Sequence, residues 1–188
     1  MLKLPRAKGF SLVELMITLA VLGIIIMVGL PSYARWIQNS NVRNASESVL
    51  QGMQRARSEA LARNASTTFR LGNGTFWTAA DITAAPNVVI ETRPAGEIPA
   101  SVTFATLPAP PAGVLIPTST VTFNGLGMVI PNADGSATLT QIDVSTNALE
   151  EAQRRPLRIT VGAGGILRFC DSHPDIKDKN PPDLRSCP

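Results

Sequence analysis

Histidine, tyrosine and cysteine are nearly absent from this chain of 188 residues, which contains one histidine, one tyrosine and two cysteines. One histidine cannot supply a two-histidine metal site within a single chain. No grouping of nucleophile, base and acid stands out either, so the sequence predicts neither an enzyme nor a bound cofactor or metal. The histidine, His173, stands in a proline-rich stretch, where exposure to solvent is the expectation.

Charge is also scarce, at 16% of residues, and its small positive excess is local. Lys3, Arg6 and Lys8 precede Phe10, and no acidic residue does. Without these three the chain has 14 basic and 14 acidic residues, so the net charge of +3 does not indicate a nucleic-acid-binding domain. The remaining composition is rich in Thr, Ala, Pro, Gly and Asn and predicts an exported β-rich domain with many turns.

A long apolar run dominates the N-terminal region. Residues 10–30 carry a single charge, Glu14. As a helix they would be about 31 Å long, which matches the hydrocarbon core of a bilayer. The three basic residues before the run place the N-terminus in the cytoplasm. A carboxylate at the centre of such a span costs about 2.5–3.5 kcal/mol, so Glu14 needs an explanation.

Three interpretations of this run differ in how they treat Glu14. A secretory signal peptide would be cleaved after the small residues of Ser32-Tyr33-Ala34, but the run is too long, and Glu14 and Pro31 are out of place. A plain membrane anchor explains the length and leaves the acid without a function. The third interpretation accounts for both features and depends on residues 6–14.

The segment RAKGFSLVE, residues 6–14, closely resembles the leader and cleavage site of type IV prepilins and pseudopilins. The resemblance implies that a prepilin peptidase cuts between Gly9 and Phe10 and methylates the new amino terminus of Phe10. It also implies that Glu14 pairs with the terminal amine of a neighbouring subunit during assembly. Such an amine would relieve the cost of the carboxylate and would fix the axial register of the two subunits.

After Pro31 the pattern changes to that of an amphipathic helix. If Pro31 only kinks the chain, this segment and the apolar run form one long helix, although the resemblance implies a bend or break near Gly29 and Pro31. Asn64 is the predicted C-terminal stop. Small apolar residues recur at steps of three and four and predict a face that packs on a sheet: Val42, Ala45, Val49, Met53, Ala56 and Ala60.

Beyond residue 65 the pattern predicts short β-strands with turns between them. Asn73-Gly74 predicts a hairpin turn, residues 162–165 join the last two strands, and the proline-rich residues 97–117 predict a long edge loop. The predicted strands span residues 67–71, 75–78, 88–92, 102–105, 121–123, 128–130, 138–143, 157–161 and 166–169.

Three segments of this region resemble the GspH/FimT family of minor pilins and pseudopilins. They are QGMQRARSEALARNASTTF (residues 51–69), STVTFNGLGMVI (119–130) and LRITVGAGGILRFCD (157–171). The resemblance implies the α+β type IV pilin fold, in which a long N-terminal helix has a transmembrane first half and packs on an antiparallel β-sheet head.

The implied organisation has four parts. Residues 1–9 are a prepilin leader, and residues 10–31 are a transmembrane and assembly helix. Residues 32–64 are an amphipathic helix that continues into the head. Residues 65–188 are a β-rich periplasmic head that ends in a disulfide loop.

Cys170 and Cys187 are predicted to form that disulfide, because an even number of cysteines in an exported chain favours pairing. Closing a loop of this length stabilises the fold by about 3 kcal/mol in the chain-entropy model. Several aspartates lie near the two cysteines, but their spacing does not fit an EF-hand, so no calcium site is predicted. They are Asp171, Asp175, Asp178 and Asp183.

DNA binding is an alternative function, because some related DNA-uptake pilins carry a Gly-Arg-x-Arg motif in the closing hairpin. The matching positions here are residues 165–168, where Arg168 is present but Ile166 replaces the first arginine. Each lost phosphate contact weakens binding, and the nearby aspartates oppose it, so DNA contact by Arg168 is not favoured. Four further arginines are candidates to compensate: Arg154, Arg155, Arg158 and Arg185.

The predicted function is that of a minor type IV pilin that takes part in initiating or capping pilus assembly. The implied location is the bacterial inner membrane, crossed once, with the head in the periplasm or at the pilus tip. The implied partners are the prepilin peptidase, other major and minor pilins and the inner-membrane assembly platform. The alternatives are a DNA-binding minor pilin for natural transformation and a type II secretion pseudopilin.

Overall fold

The computed structural model describes residues 9–72, 75–83, 85–108, 119–177 and 183–187. The chain divides into two compact units, one that ends at Ile37 and one that begins at Gln38. The predicted turn at Asn73-Gly74 and residues 1–8 of the predicted leader lie outside the described residues.

A single α-helix, α1, runs from Leu12 to Arg63 and includes Pro31. The helix therefore does not break at Gly29 or Pro31, contrary to what the resemblance implied, and the predicted joining of the two segments is confirmed. Its C-terminus is a Schellman motif in which Asn64 adopts a left-handed conformation with φ of 49°. The Ala65 N–H donates to the Ala60 carbonyl and the Asn64 N–H to the Leu61 carbonyl, so the predicted stop is confirmed.

The first unit contains the N-terminal part of α1, whose large apolar side chains are exposed. An 18-residue window of this helix has a mean hydropathy of 2.6. The helix is long and apolar enough to cross a membrane.

The second unit begins with the remainder of α1, which buries the predicted face of small residues. Val42, Val49, Met53 and Ala56 are fully buried. Gly52 brings the helix close to the sheet, because a Cβ there would lie 2.8 Å from the Phe69 ring and 2.9 Å from the Trp77 ring. The small residues of this face thus allow a large tryptophan to pack directly under the helix backbone.

Among the described residues, nine strands follow the helix, and each overlaps one of the nine predicted strands. Several observed strands are two or three residues longer than predicted. The seventh lies three residues further towards the C-terminus than predicted. The strands are β1 (Thr67–Leu71), β2 (Thr75–Asp81), β3 (Val88–Pro94), β4 (Val102–Leu107), β5 (Ser119–Phe123), β6 (Val129–Ile130), β7 (Gln141–Thr146), β8 (Leu157–Val161) and β9 (Leu167–Asp171). Two 3₁₀ turns, Ala95–Glu97 and Glu151–Gln153, and a short helix α2 (Pro174–Lys177) complete the described elements.

The strands form two antiparallel sheets rather than one. The first sheet has the order β3-β2-β1-β5-β6 and the second has the order β4-β7-β8-β9. Alternate residues on the inner face of each sheet are buried, for example Phe69 and Val121 in the first and Ile142 and Ile159 in the second. These side chains join the small residues of α1 in one hydrophobic core.

The proline-rich stretch predicted as a long edge loop contains β4, which pairs along its whole length with β7. The edge position is confirmed, since β4 is an outer strand of the second sheet, and so is the strand predicted at residues 102–105. The description of the stretch as a loop is wrong over residues 102–107, because Val102, Phe104 and Thr106 alternate towards the inner face despite the surrounding prolines. Residues 109–118 lie outside the described residues.

Two turns from different sheets meet beside α1. The turn between β5 and β6 contains Gly127, and the turn between β8 and β9 contains Gly165. The Val129 N–H donates to the Ala163 carbonyl at 3.0 Å, and Arg57 of the helix donates to the Gly127 carbonyl at 3.1 Å. A Cβ built on Gly165 would collide with the Gly127 carbonyl oxygen, so this contact requires glycine.

The predicted disulfide is present between Cys170 and Cys187, with an S–S distance of 2.03 Å. The C-terminal segment lies beside the outer edge of β9. The Asp171 N–H donates to the Arg185 carbonyl at 2.8 Å, and the Cys187 N–H donates to the Asp171 carbonyl at 3.1 Å. Two backbone hydrogen bonds and one covalent bond therefore fix this segment to the second sheet.

His173 is buried, which contradicts the expectation that it faces solvent. Its Nδ1 lies 2.9 Å from an Arg155 guanidinium nitrogen, which must donate, since guanidinium has no acceptor. The Asp175 N–H also points to Nδ1, at 3.2 Å. The proline-rich composition gave no sign of this burial, because it does not show that the fold brings Arg155 and the Asp175 N–H to the imidazole.

Candidate functional site

The candidate site lies at the start of α1, around the predicted cleavage position. Gly9 and Phe10 precede the helix and are exposed, and nothing lies within 4 Å of a Cβ built on Gly9. Phe10 has 82% of its surface exposed. The Gly9–Phe10 peptide bond is thus in irregular, open backbone, which a peptidase requires.

Ser11 caps the helix at this point. Its hydroxyl accepts a hydrogen bond from the Glu14 N–H at 3.1 Å, which satisfies one of the unpaired amides of the first turn. The Ser-x-x-Glu spacing of residues 11–14, which is the pattern of a capping box, is the sequence signal for this cap. The cap fixes where the helix begins, two residues after the predicted cut.

Glu14 lies in the first turn of α1 and its side chain is exposed. The carboxylate forms no hydrogen bond or ion pair with any residue in the described ranges. Its position at the helix N-terminus is favourable, because the helix dipole presents positive partial charge there. The geometry leaves the carboxylate available for a cation from outside the helix.

Ion pairs support the last turns of the same helix. Arg63 donates to Glu59 at 2.7 Å, and Arg55 lies 2.9 Å from the other Glu59 oxygen. The hydrogen bond from Arg63 lowers the pKa of the Glu59 carboxyl, and the charge of Arg55 acts in the same direction. A lowered pKa means that these pairs hold at neutral pH and weaken only as the pH falls through the carboxyl's own titration.

The structure places Arg168 and Ile166 at the closing hairpin, and both side chains are exposed. The four arginines considered as compensating contacts are instead engaged within the chain. Arg158 holds Asp143 with two hydrogen bonds of 2.6 and 3.1 Å, and Arg185 holds Asp183 in the same way. Arg154 donates to the Leu149 carbonyl, and Arg155 contacts His173. Sequence alone could not show these pairings.

Three of the four aspartates near the disulfide lie in the described part of the chain. Among the residues with described positions, no group of three acidic, histidine or cysteine side chains is arranged to hold a metal ion. Asp183 binds Arg185, and Asp175 lies 3.8 Å from an Arg155 nitrogen. Asp178 lies outside the described residues.

One long helix, capped and apolar at its start with an acid in its first turn and packed on antiparallel sheets over its last part, defines the pilin-like class of proteins. Comparison with known families agrees. The model of the prokaryotic N-terminal methylation motif matches residues 4–30, and the model described as Type II transport protein GspH matches residues 45–165. The second match covers more than half of the chain, so the chain belongs to the GspH family of type IV pilin-like proteins.

Comparison with solved structures finds the type IV minor pilin FimU of Pseudomonas aeruginosa. The two chains are 16% identical and superpose with a TM-score of 0.48, over 71% of this chain and 91% of the FimU chain. No curated protein matches the sequence.

Membership of this family has three consequences. The family consists of structural subunits rather than enzymes. The methylation motif implies processing by a prepilin peptidase and partners among pilin-like proteins. The apolar helix and the family together indicate anchoring in a membrane.

Proposed function

We propose that this chain is a minor pilin that helps to initiate or cap assembly of a filament. A prepilin peptidase cuts between Gly9 and Phe10 and methylates the new amino terminus. The apolar helix holds the subunit in the bacterial inner membrane, with the head in the periplasm, and later joins the filament core. The partners are other major and minor pilins and the inner-membrane assembly platform.

The observation that carries this proposal is the geometry of residues 9–14. The bond to be cut is exposed, Ser11 fixes the helix start, and the Glu14 carboxylate has no partner among the described residues. The terminal amine of Phe10 in a neighbouring subunit would supply the missing cation. An unpaired charge in low dielectric is costly, so pairing favours ordered assembly over the separate subunit.

Processing at Gly9 is the first prediction. Mass spectrometry of membrane-extracted protein is expected to show an N-terminus at Phe10 that carries one methyl group. The same protein made in cells without a prepilin peptidase is the control and should keep its leader. A mature N-terminus at Arg35 would contradict the proposal, because it would show cleavage after Ala34 by a signal peptidase.

DNA uptake is a second candidate, which the exposure of Arg168 on the closing hairpin supports. The neighbouring exposed side chain is Ile166, which offers no charge to a phosphate. The other nearby arginines are engaged by carboxylates, a carbonyl or His173. Few cations therefore remain to release counterions from DNA.

We accordingly expect the full-length protein in detergent to bind duplex DNA only in the non-specific range, with Kd of about 10⁻⁴–10⁻⁶ M at physiological salt. Fluorescence anisotropy with a labelled duplex measures this. Arg168→Ala should change the affinity little, and Arg63→Ala on the helix serves as a matched loss of one arginine. Submicromolar binding that only Arg168→Ala abolishes would instead support DNA uptake.

The third candidate is a secretion pseudopilin, which the match to the family of the Type II transport protein GspH favours. The cleavage and helix assembly would be the same, and the partners would differ. Crosslinking in the native host followed by mass spectrometry distinguishes the settings. Pilus subunits among the crosslinked neighbours support the minor pilin, and secretion-system subunits support the pseudopilin.

A further inference from the structure

Two aromatic side chains stand together on α1, just beyond the apolar run. The Tyr33 and Trp36 rings are stacked, with centroids 5.9 Å apart and planes inclined by 25°. Three residues apart on a helix, they share one face. They are 59% and 65% exposed, so this pair covers nothing in the unit to which it belongs.

Their polar atoms also lack partners. Neither the Tyr33 hydroxyl nor the Trp36 indole N–H bonds to another described residue, whereas buried Trp77 donates its indole N–H to the Ser48 hydroxyl at 3.1 Å. A ring with an apolar body and a free polar atom suits a boundary between hydrocarbon and water. Tyrosine and tryptophan are enriched at such membrane interfaces.

The backbone beside the pair requires polar surroundings. Pro31 has no N–H, so the carbonyl one turn earlier in the helix receives no backbone donor from it. The Arg35 guanidinium folds back and donates to the Pro31 carbonyl at 3.3 Å. A free carbonyl and a guanidinium are costly in hydrocarbon, but water and lipid headgroups satisfy both.

Helix length places the pair at the far boundary of a bilayer. At 1.5 Å per residue, Tyr33 lies about 35 Å and Trp36 about 39 Å beyond Phe10. With Phe10 at the first hydrocarbon boundary, a core of about 30 Å within a bilayer of about 40–45 Å puts the opposite headgroup zone at about 30–37 Å. A helix tilted by about 20° brings the two residues to about 32 and 37 Å along the bilayer normal, within that zone. Glu14 lies about 28 Å from Tyr33 by the same rise.

We propose that Tyr33 and Trp36 form an anchor that binds the headgroup zone of the outer leaflet of the inner membrane. The anchor sets the depth of the helix and thereby holds Glu14 about one helical turn inside the cytoplasmic boundary, where the terminal amine of a neighbouring subunit can reach its carboxylate. This inference depends on the membrane insertion that the proposed function includes. The anchor specifies how deeply the helix is inserted in the bilayer, which neither the apolar run nor the methylation motif specifies.

Tryptophan fluorescence in vesicles tests the anchor directly, because the chain contains two tryptophans. In full-length Trp77→Phe, Trp36 is the only emitter. Phosphatidylcholine vesicles are prepared with bromine near the headgroup end of the acyl chain or near its middle. We expect shallow bromine to quench Trp36 roughly twice as strongly as deep bromine, as an interfacial ring requires.

The matched variant is Trp36→Phe, which keeps only the buried Trp77 and should be quenched by neither lipid. If Trp77→Phe does not fold, the difference between the natural protein and Trp36→Phe gives the same quantity. Equal quenching by both lipids, stronger quenching by deep bromine, or full access of Trp36 to aqueous iodide would overturn the anchor. The last of these outcomes would indicate that the pair awaits a protein neighbour.

Vesicle flotation separates this inference from the proposed function. The double variant Tyr33→Leu, Trp36→Leu is expected to float as the natural protein does, because its apolar run is intact. If the natural protein itself fails to float, membrane anchoring is wrong, and the anchor is wrong with it. If the protein floats and shallow bromine does not quench Trp36, only the anchor is wrong.

Discussion

Glu14→Ala is expected to abolish incorporation of the chain into filaments while leaving insertion and cleavage intact. The carboxylate has no partner among the described residues, so its removal costs the separate subunit no contact. Insertion should be at least as efficient, because an acid within a span is unfavourable by up to about 2.5–3.5 kcal/mol. Cleavage should persist, because Gly9 and Phe10 are unchanged. The neighbour's terminal amine would lose its counter-charge, and the axial register would no longer be fixed.

The measurement is the amount of processed variant that co-purifies with sheared filaments or with crosslinked minor pilins, set against a cleavage assay. Glu14→Asp keeps the charge on a shorter side chain and should be intermediate. Ser11→Ala removes the helix cap but keeps the acid, so it controls for disturbance of the helix start. Normal incorporation of fully processed Glu14→Ala would show that the acid has another role.

Gly165→Ala is expected to destabilise the head by about 2 kcal/mol or more, since a left-handed non-glycine residue alone costs about 1–3 kcal/mol. Gly165 has a φ of 73°. The added Cβ would also collide with the Gly127 carbonyl oxygen and would lie 3.0 Å from the Arg57 Nε. The two turns would have to separate and would strain the contact between the two sheets. For a chain of this size, the midpoint of thermal unfolding should fall by about 4 °C or more.

Gly164→Ala is the matched control, because it makes the same substitution one residue earlier in the same turn. Nothing lies within 4 Å of a Cβ at Gly164, so its unfolding midpoint should stay close to that of the natural protein. Circular dichroism of the detergent-solubilised protein measures both. Equal midpoints for the two variants would show that the contact between the turns does not contribute to stability.

The elements of the fold were predictable where local pattern decides them. The stripe from Val42 to Ala60 repeats every three or four residues, and the helix end at Asn64 has its own chemistry. Strand positions followed from alternation between turns, and all nine exist. The proposed cut at Gly9 and the proposed role of Glu14 come from the family resemblance, because pattern alone suggests neither.

The division into two sheets was not predictable, because it depends on pairing between distant strands. Thr138 illustrates the difficulty. It was predicted to begin the strand that ends at Asp143, but it bridges to Thr120 of the first sheet, and β7 begins at Gln141. Local alternation cannot show that a chain crosses from one sheet to the other within three residues.

The burial and pairing of polar groups could not be predicted from the sequence either. His173 was expected to face solvent, yet Arg155 and the backbone of Asp175 enclose its imidazole. The pairing of Arg158 with Asp143 joins β8 to β7 and uses a residue that sequence alone presented as a free cation. Tertiary structure decides which partner each arginine binds. A count of the arginines near a motif therefore overstates the number that are available to bind a ligand.

The C-terminal segment has a consequence for how copies of this subunit can associate. An outer strand offers unpaired backbone groups on which another chain can extend the sheet, and such growth leads to aggregation. At Asp171 of β9 those groups are already used by residues 185 and 187 of the same chain, and the disulfide prevents that segment from leaving. The protein thus protects the end of its second sheet from template-driven growth. In the proposed filament, where subunits would meet through their helices, this protection would keep neighbouring heads from fusing through their strands.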